Sequence, residues 1–284
     1  FPAKPVRFVV PFATGGASDI VARAVGAKLG EVWGQTIVID NRAGGSGMIG
    51  SELVARAPAD GYMLLVVEPT FAITPGLFQK VPFDVQKDFV PVVQLGQAPQ
   101  VLVVHPSVPA KNVKELIALA RAHPGEVTYA SSGVGGTGHI SAELFNLMAR
   151  IKMQRIQFKS VGPSLISVLS GESQITYSNI SAALPHIQSG RLRLLGVTSL
   201  KRVPSLPEVP TISEAGLPSY ESSGGAGIIA PPGLPRALLT RLNREIVEIL
   251  NSKEVGEQMP AVGMLPAPTT PEDFTAYIRR SEEH

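Results

Sequence analysis

The sequence predicts an α/β protein of two lobes, each a mostly parallel β-sheet flanked by helices. Short apolar runs rich in Val and Ile alternate with helix-periodic segments between residues 6 and 68, and the alternation begins again at residue 100. A stretch rich in Pro, Ser and Gly at 203–225 then precedes one more apolar run and two helical segments. The chain is therefore expected to leave the first lobe, build the second and return. The predicted boundaries are 1–99 and 224–284 for lobe 1, 100–223 for lobe 2, and hinge crossovers near 97–100 and 220–226.

The first lobe begins with a regular alternation of strand and helix. The segment 18–34 has apolar residues at helical spacing and ends at Gly34, which is a typical helix stop. Residues 69–91 contain several prolines and are expected to be irregular. The predicted strands of this part lie at 6–12, 36–41 and within 59–68, and the predicted helices lie at 18–34 and 48–57.

The second lobe repeats the alternation. After the crossover we predict a strand at 227–233 and two final helices, the last with Thr270 as its N-cap. Ligands of open α/β sheets bind at the carboxyl ends of the strands, so two such lobes facing each other would enclose one site. The predicted strands of lobe 2 are 100–106, 127–131, 155–159, 173–179 and 192–199, and its predicted helices are 113–123, 139–150 and 164–171.

Composition excludes several classes of function. Apolar residues make up 44% of the 284 and charged residues 17%, so little disorder is expected. The net charge of +2 without a long basic run argues against a nucleic-acid partner. The absence of cysteine rules out a disulfide framework or a thiolate metal site. No apolar run approaches the ~20 residues of a membrane helix, and the opening FPAKP fits the start of a processed chain.

Two glycine-rich loops each follow a predicted strand and precede a predicted helix. They are FATGGASD at 12–19 and SSGVGGTGH at 131–139. Free backbone amides at a helix N-terminus, together with the positive end of the helix dipole, suit a carboxylate or a phosphate. We therefore predict an anion site in each loop. The alternative is that the first loop only caps its helix, with Ser18 as the N-cap, while His139 is expected to cap or pack rather than to catalyse.

A third glycine-rich loop, at 44–50, matches the dinucleotide-binding pattern and has Glu68 further along the chain. Two observations weaken this match. Four residues separate the preceding strand from the first glycine of the pattern, which requires an immediate turn. The pattern also recurs at Gly133, Gly135 and Gly138, and the residue about 20 positions after Gly138 is Lys159, which would not hold a ribose. We therefore expect no nicotinamide, flavin or other cofactor.

Motifs of catalysis are not found. The sequence has no G-x-S-x-G, no H-E-x-x-H and no close pair of carboxylates beside a histidine. Its five histidines are scattered without metal-binding spacing. We predict that the chain is not an enzyme and holds no metal.

Several long segments, in order along nearly the whole chain, resemble the Bug-type substrate-binding proteins of tripartite tricarboxylate transporters. They include KPVRFVVPFATGGASDIVAR, IVIDNRAGGSGMIG, YASSGVGGTGHISAELF and LPEVPTISEAGLPSYE. The resemblance implies a Venus-flytrap fold of two α/β lobes in the periplasm, in a mature chain without its signal peptide. It also implies a monomer that captures a small organic carboxylate and delivers it to membrane permease subunits.

The resemblance implies a ligand carboxylate held by the two loops, with Asp19 and His139 mostly keeping the loops in shape. We add polar candidates near the strand ends, namely Ser18, Glu68, Thr70, Lys159 and Ser178. The residues implied by the resemblance itself are Phe12, Thr14, Gly15, Gly16 and Asp19 in the first loop, and Ser131, Gly135, Gly136, Thr137 and His139 in the second.

The chain departs from the family pattern at positions that bear on specificity. It has Phe158-Lys159-Ser160 for the common Tyr-Lys-Gly, and Ser178 for a common Asp. Glu68 stands where small or hydroxyl residues are usual. We hypothesise that Glu68 meets an ammonium or hydroxyl group and so favours an amino or hydroxy acid. The alternative is that Glu68 points to solvent or pairs with a neighbouring Lys or Arg.

Two other functions remain open at this point. The same fold serves as the ligand-sensing partner of a membrane receptor, and residues alone do not separate sensing from transport. A nucleotide-dependent enzyme using the glycine loops is the less favoured alternative, and stabilisation of the fold by a nucleotide would support it.

Overall fold

The computed structural model describes residues 1–12, 14–132, 135–158 and 161–283. Its strands are β1 Val6–Val10, β2 Ile37–Asn41, β3 Met63–Val67, β4 Val90–Val104, β5 Thr128–Ser132, β6 Gln154–Phe158, β7 Ile175–Asn179, β8 Arg193–Val197, β9 Ser223–Ala230 and β10 Leu265–Pro266. Its α-helices are α1 Ala17–Trp33, α2 Met48–Ala55, α3 Thr70–Leu77, α4 Val113–Ala122, α5 Thr137–Ala149, α6 Val161–Leu169, α7 Ile180–Gln188, α8 Ile212–Ala215, α9 Arg236–Leu250, α10 Lys253–Gln258 and α11 Pro271–Glu283.

Contacts divide the chain into two units. Unit 1 comprises Phe1–Gln97 and Gly225–His284, and unit 2 comprises Ala98–Gly224. The long strand β4 contributes its first half to unit 1 and its second half to unit 2. Each unit has its own sheet and its own core.

In unit 1 the strand order is β2-β1-β3-β9-β4, and β10 pairs with β4. Strand β1 is parallel to both β2 and β3, whereas β9 is antiparallel to β3. Side chains of β1 enter the core on both faces: Phe8 packs with α1 and α9, and Val9 packs with α3 and α11. Burial on both faces is typical of parallel strands. This arrangement places the carboxyl ends of β1 and β3 side by side.

In unit 2 the strand order is β8-β4-β7-β5-β6. Strand β5 is parallel to β6 and β7, whereas β4 is antiparallel to β7 and β8. The core is built under α4 and α5 around three buried aromatic side chains, Tyr129, Phe145 and Tyr220. The carboxyl ends of β5, β6 and β7 therefore share one edge of this sheet.

Three predicted elements need correction. Residues 69–91 are not irregular throughout, because α3 and the start of β4 lie there, so β4 begins at Val90 rather than at residue 100. The sequence did not predict α3 because Pro75 lies inside it and proline usually breaks a helix. Burial of Phe71 against Phe83 and Phe89 stabilises α3 nonetheless. The strand that follows the crossover is Ser223–Ala230 rather than 227–233, and the crossover before it contains the short helix α8.

Candidate functional site

Helix α1 begins at the end of the β1–α1 loop, and its N-cap residue has no side chain that could cap the helix. Gly16 is the N-cap, with extended backbone (φ −71°, ψ 162°), and α1 begins at Ala17. Gly15 takes φ +89°, which glycine adopts without strain. Thr14 and both glycines are exposed. The amides of the first helical turn thus have no capping oxygen from residue 16, as an anion site requires.

Asp19 holds this loop in shape. Its buried carboxylate accepts the Gly15 amide at 2.9 Å, the Arg23 guanidinium at 3.0 Å and the Asn41 side-chain amide at 2.9 Å. Asn41 also donates to the Phe12 carbonyl at 3.1 Å. Burial alone would raise the pKa of Asp19, but the hydrogen bonds from Arg23, Gly15 and Asn41 outweigh it and the pKa is lowered. Asp19 therefore stays ionised, and its carboxylate oxygens already accept hydrogen bonds from the protein itself.

Ser18 does not cap the helix. Its buried hydroxyl, in the first turn of α1, donates a hydrogen bond to Glu68 Oε1 at the end of β3. Glu68 is largely buried, and burial raises its pKa while the Ser18 bond lowers it in part. Among the residues that the structure describes, no Lys, Arg or His forms an ion pair with it. The described residues therefore give Glu68 no cationic partner.

Glu68 lines a cavity of about 240 Å³ within unit 1, referred to below as the Glu68 cavity. The cavity lies at the carboxyl ends of β1 and β3, and Thr70 of α3 is also part of its wall. Its described lining is Pro11, Phe12, Ser46, Gly47, Met48, Ser51, Val67, Glu68, Thr70, Phe71, Thr74 and Phe83. The lining contains one carboxylate and no basic side chain.

The loop between β5 and α5 in unit 2 repeats this backbone. Gly136 is the N-cap of α5, with φ −67° and ψ 154°, and the helix begins at Thr137. Gly135 takes φ +76°. Gly136 and Thr137 are partly exposed, so the first turn of α5 is accessible within unit 2. This loop too offers helix amides that no N-cap side chain occupies.

His139 takes the place in this loop that Asp19 takes in the other. Its Nδ1 contacts the Gly135 amide at 3.1 Å, and its Nε2 contacts Arg155 Nη1 at 2.7 Å. A neutral imidazole has one acceptor nitrogen, so the two contacts compete for it. Burial, followed by the charge of Arg155, lowers the pKa of His139, while Glu143 opposes the shift. His139 thus holds the loop as a neutral side chain.

Two predicted serines are buried without a hydrogen-bond partner among the described residues. They are Ser131, at the end of β5, and Ser178, at the end of β7. They do not share a face of the sheet: Ser131 lies on the face of the core residue Tyr129, two positions earlier, whereas Ser178 lies opposite its core neighbour Tyr177. The structure therefore separates the two hydroxyls. Lys159 lies outside the described residues.

The glycine loop at 44–50 has a packing role. Gly45–Gly47 forms a 3₁₀ turn rather than the immediate start of a helix, so the dinucleotide geometry is missing. A Cβ on Gly50 would lie 2.9 Å from Pro11 Cβ and 3.3 Å from the Arg42 carbonyl oxygen. Gly50 thus allows α2 to lie against the end of β1. Within the described part of the chain, no group of three His, Cys, Asp or Glu side chains could hold a metal ion.

Three residues that hold the loops were missed in the sequence. Arg23 is four residues from Asp19 on one helix face, and Asn41 ends the strand next to β1, so both could have been found from spacing and strand order. Arg155 reaches His139 only because β6 pairs with β5, with Arg155 opposite Tyr129, and that register is not readable from local pattern.

No helix among the described residues is long and apolar enough to cross a membrane.

Comparison with known proteins gives matches over nearly the whole chain. The family model described as "Tripartite tricarboxylate transporter family receptor" matches residues 21–282. Protein BugT of Bordetella pertussis is 37% identical over 280 residues, which is 98% of this chain and 86% of BugT. These matches confirm the resemblance drawn from the sequence segments.

Solved structures match equally widely. Rpa4515 of R. palustris with adipate is 36% identical, with a TM-score of 0.79 and coverage of 100% of this chain and 95% of that one. The periplasmic binding protein BugD is 28% identical, with a TM-score of 0.75 and coverage of 100% and 95%. MatC from Rhodopseudomonas palustris with bound malate is 28% identical, with a TM-score of 0.74 and coverage of 100% and 98%. The predicted two-lobed α/β fold of periplasmic binding proteins is confirmed, and the family is one of solute-binding proteins, not enzymes.

Proposed function

Because the chain belongs to the tripartite tricarboxylate transporter receptor family of periplasmic substrate-binding proteins, we propose that it captures a small organic carboxylate in the periplasm and delivers it to the membrane permease of such a transporter. The observation that carries the proposal is the pair of glycine N-caps, Gly16 on α1 and Gly136 on α5. Each helix follows a strand at the carboxyl edge of its own sheet, where α/β proteins bind ligands.

Four other helices of the chain are capped by the side chain of their N-cap residue, whereas the N-caps of α2, α3, α7 and α9 form no such side-chain bond. The N-caps of α4, α8 and α10 are Asn112, Thr211 and Ser252, and each accepts a backbone amide with its side chain. Thr270 does the same at the start of α11. A glycine N-cap leaves this position to an oxygen from elsewhere, and a carboxylate gains both the amide hydrogen bonds and the helix dipole. The first-turn amides of α1 and α5, the two helices that follow the glycine loops, therefore receive no N-cap side chain and are available to an anion.

We propose that each loop offers a binding site for an anion, with Asp19 and His139 as positioning residues. The buried hydroxyl of Ser131, where β5 meets the second loop, adds a polar group that a ligand could satisfy, since an unpaired buried hydroxyl costs free energy. Adipate and malate, named with two of the similar structures, support a dicarboxylate-sized anion as the class to test. The proposed contacts from α1 and its surroundings are Phe12, Thr14, Gly15, Gly16, Ser18, Glu68 and Thr70, and those from unit 2 are Ser131, Gly135, Gly136, Thr137 and Lys159.

The test places a competing carboxylate at each N-cap. Gly16→Asp and Gly136→Asp should fold, because both backbones have negative φ and Asp is a favoured N-cap. Each internal carboxylate would occupy the first-turn amides and weaken carboxylate binding at least 100-fold in calorimetry. A ligand at 100 times its Kd raises stability by about 2.7 kcal/mol, so a thermal-shift panel of carboxylates finds the ligand first.

Asn112→Asp at the start of α4 is the matched control, since it adds the same charge at a helix whose N-cap already bonds Glu115 N. Its ligand affinity should equal that of the unmodified chain. Retained binding in both glycine variants would overturn the proposed site. Delivery is tested by uptake: cells lacking the gene should lose uptake of the labelled ligand, and the natural gene, but not Gly136→Asp, should restore it.

A further inference from the structure

Glu68 lies one hydrogen bond from the proposed anion site of unit 1. It directly follows β3, and the parallel neighbour β1 leads into the loop whose helix carries Ser18. The Ser18 hydroxyl donates to Glu68 Oε1, so the carboxylate lies against the first turn of α1. An anion bound to the first-turn amides of α1 would therefore have a second carboxylate as its neighbour.

The charge of Glu68 is not balanced inside unit 1. Asp19, the other acidic residue at this loop, is saturated by Arg23, Asn41 and the Gly15 amide. Glu68 has Ser18 as its hydrogen-bond partner among the described residues, and the described lining of its cavity holds no Lys, Arg or His. It also borders a second cavity, of about 330 Å³ and mainly apolar, whose described lining likewise lacks a basic side chain. Burial without a counter-charge raises the pKa of Glu68.

Two carboxylates this close repel each other, and the repulsion grows in a partly desolvated cavity. A ligand that carries its own positive charge beside its carboxylate removes the conflict, because its ammonium pairs with Glu68 while its carboxylate meets the helix amides. Glu68 and the first turn of α1 are joined by the hydrogen bond from the Ser18 hydroxyl, so one small ligand is the natural bridge between them.

We propose that Glu68 is the specificity residue of the site and that the ligand is an α-amino acid, whose ammonium group Glu68 binds in the Glu68 cavity. This inference rests on the proposed capture of a carboxylate and narrows its class. A hydroxyl at the same carbon would donate to Glu68 without neutralising it, so an α-hydroxy acid binds more weakly. A plain carboxylic acid lacks both the donor and the charge, and it binds weakest.

The experiment compares amino acids with partners that lack the amino group. Calorimetry on ligand-free protein uses aspartate, malate and succinate as one series, and glutamate with glutarate, 2-aminoadipate with adipate and alanine with propionate as pairs. We expect at least one amino acid to bind ten-fold or more tightly than its unsubstituted partner, with malate between aspartate and succinate if that series binds. Glu68→Gln should reduce the amino-acid preference at least ten-fold.

The control is Glu52→Gln on α2, which removes the same charge from a surface pair with Arg56 and should keep the preference. Glu68→Ser serves as a second variant in case Gln disturbs the cavity. Equal or tighter binding of the unsubstituted acids, or an unchanged ratio in both Glu68 variants, would overturn the inference. If those acids bind and Gly16→Asp abolishes it, carboxylate capture stands without the amino-acid class. If no acid of either kind binds, both proposals fail.

Discussion

The β1–α1 loop of unit 1 and the β5–α5 loop of unit 2 share one backbone design. In each, a glycine with positive φ donates its amide to the side chain four residues further on: Gly15 to Asp19 at 2.9 Å, and Gly135 to His139 at 3.1 Å. In each, the next glycine is an extended N-cap. In each, an arginine contacts that side chain. The features that the two loops share leave backbone amides of the helix N-terminus accessible. Backbone conformation determines these features.

The two loops differ in charge. In unit 1 the Asp19–Arg23 pair is neutral overall, and Glu68 adds a negative charge beside it. In unit 2 His139 is held neutral, and no carboxylate of the described residues lies within ion-pair distance of Arg155, which leaves a positive charge near the loop. The comparison teaches that two loops with the same backbone conformation can differ in charge because the side chains that hold them differ. The loop of unit 2 therefore lies near an added positive charge, and the loop of unit 1 lies beside an added carboxylate.

The largest effect on stability is expected at Asp19. In Asp19→Asn the side chain keeps an acceptor for the Gly15 amide but loses the charge that pairs with Arg23, and its new amide group faces that of Asn41. Disrupting a buried carboxylate with three donors should cost about 2 kcal/mol of unfolding free energy, less than a fully buried pair because Arg23 is half exposed. Urea unfolding measures this cost.

The pH dependence gives a second reading of the same residue. The pKa of Asp19 is lowered on folding, so its stabilisation is present above the ordinary aspartate pKa of 3.8 and is lost as pH falls through the folded pKa. The difference between the natural chain and Asp19→Asn should therefore shrink only in strong acid. Asp60→Asn, at a surface turn, is the control and should change stability by less than about 0.5 kcal/mol. A difference that closes already near neutral pH would contradict this role.

A smaller effect is expected from the positive φ of the loop glycines. No atom lies within 4 Å of a Cβ built on Gly15, so Gly15→Ala isolates the backbone strain, about 1–2 kcal/mol. Relief of that strain would turn the neighbouring amides, so carboxylate affinity should fall more than stability does. Gly76→Ala in α3 also meets open space but has no positive φ, and it should be neutral or slightly stabilising. Equal behaviour of the two variants would show that the loop geometry does not depend on Gly15.

Much of the fold was predictable because the alternation of apolar strands and amphipathic helices is local. Strands β1 to β3 and helices α1, α5 and α9 lie within a few residues of their predicted bounds. Helix α3 was missed because its residues are apolar on all sides and include Pro75, which reads as a breaker. The length of β4 was missed because its first half is stabilised by pairing with strands distant in sequence. Tertiary burial decides such segments, and local propensity does not.

For the candidate site, the sequence predicted the glycine loops and Glu68 because their signals are local: glycines after a strand and an acid at a strand end. The sequence predicted that Asp19 and Glu68 lie at the site. It did not predict that the protein supplies several hydrogen-bond donors to Asp19 and few to Glu68. Among the described residues, Asp19 accepts from three donors, in α1, the loop and β2, whereas Glu68 accepts from one, and this difference follows from packing of parallel strands. The separation of Ser131 and Ser178 on two faces of a sheet likewise depends on register. Which residues hold a loop and which meet a ligand is therefore a tertiary question.

The smallest effect is expected at His139, and its pH range should separate the two loops. Its pKa is lowered on folding, so the unfolded chain binds more protons and stability is lost as pH falls from the ordinary histidine pKa of 6.5 through the folded pKa. His139→Gln keeps an acceptor for Gly135 or Arg155 and removes the titration. The natural chain should therefore exceed His139→Gln by on the order of 1 kcal/mol at pH 8, a single hydrogen bond, and lose that margin by pH 5. Melting temperatures across this range measure it, with the exposed His123→Gln as control. A constant margin would mean that His139 packs but does not hold the loop by hydrogen bonds, and the likeness between the two loops would end at their backbones.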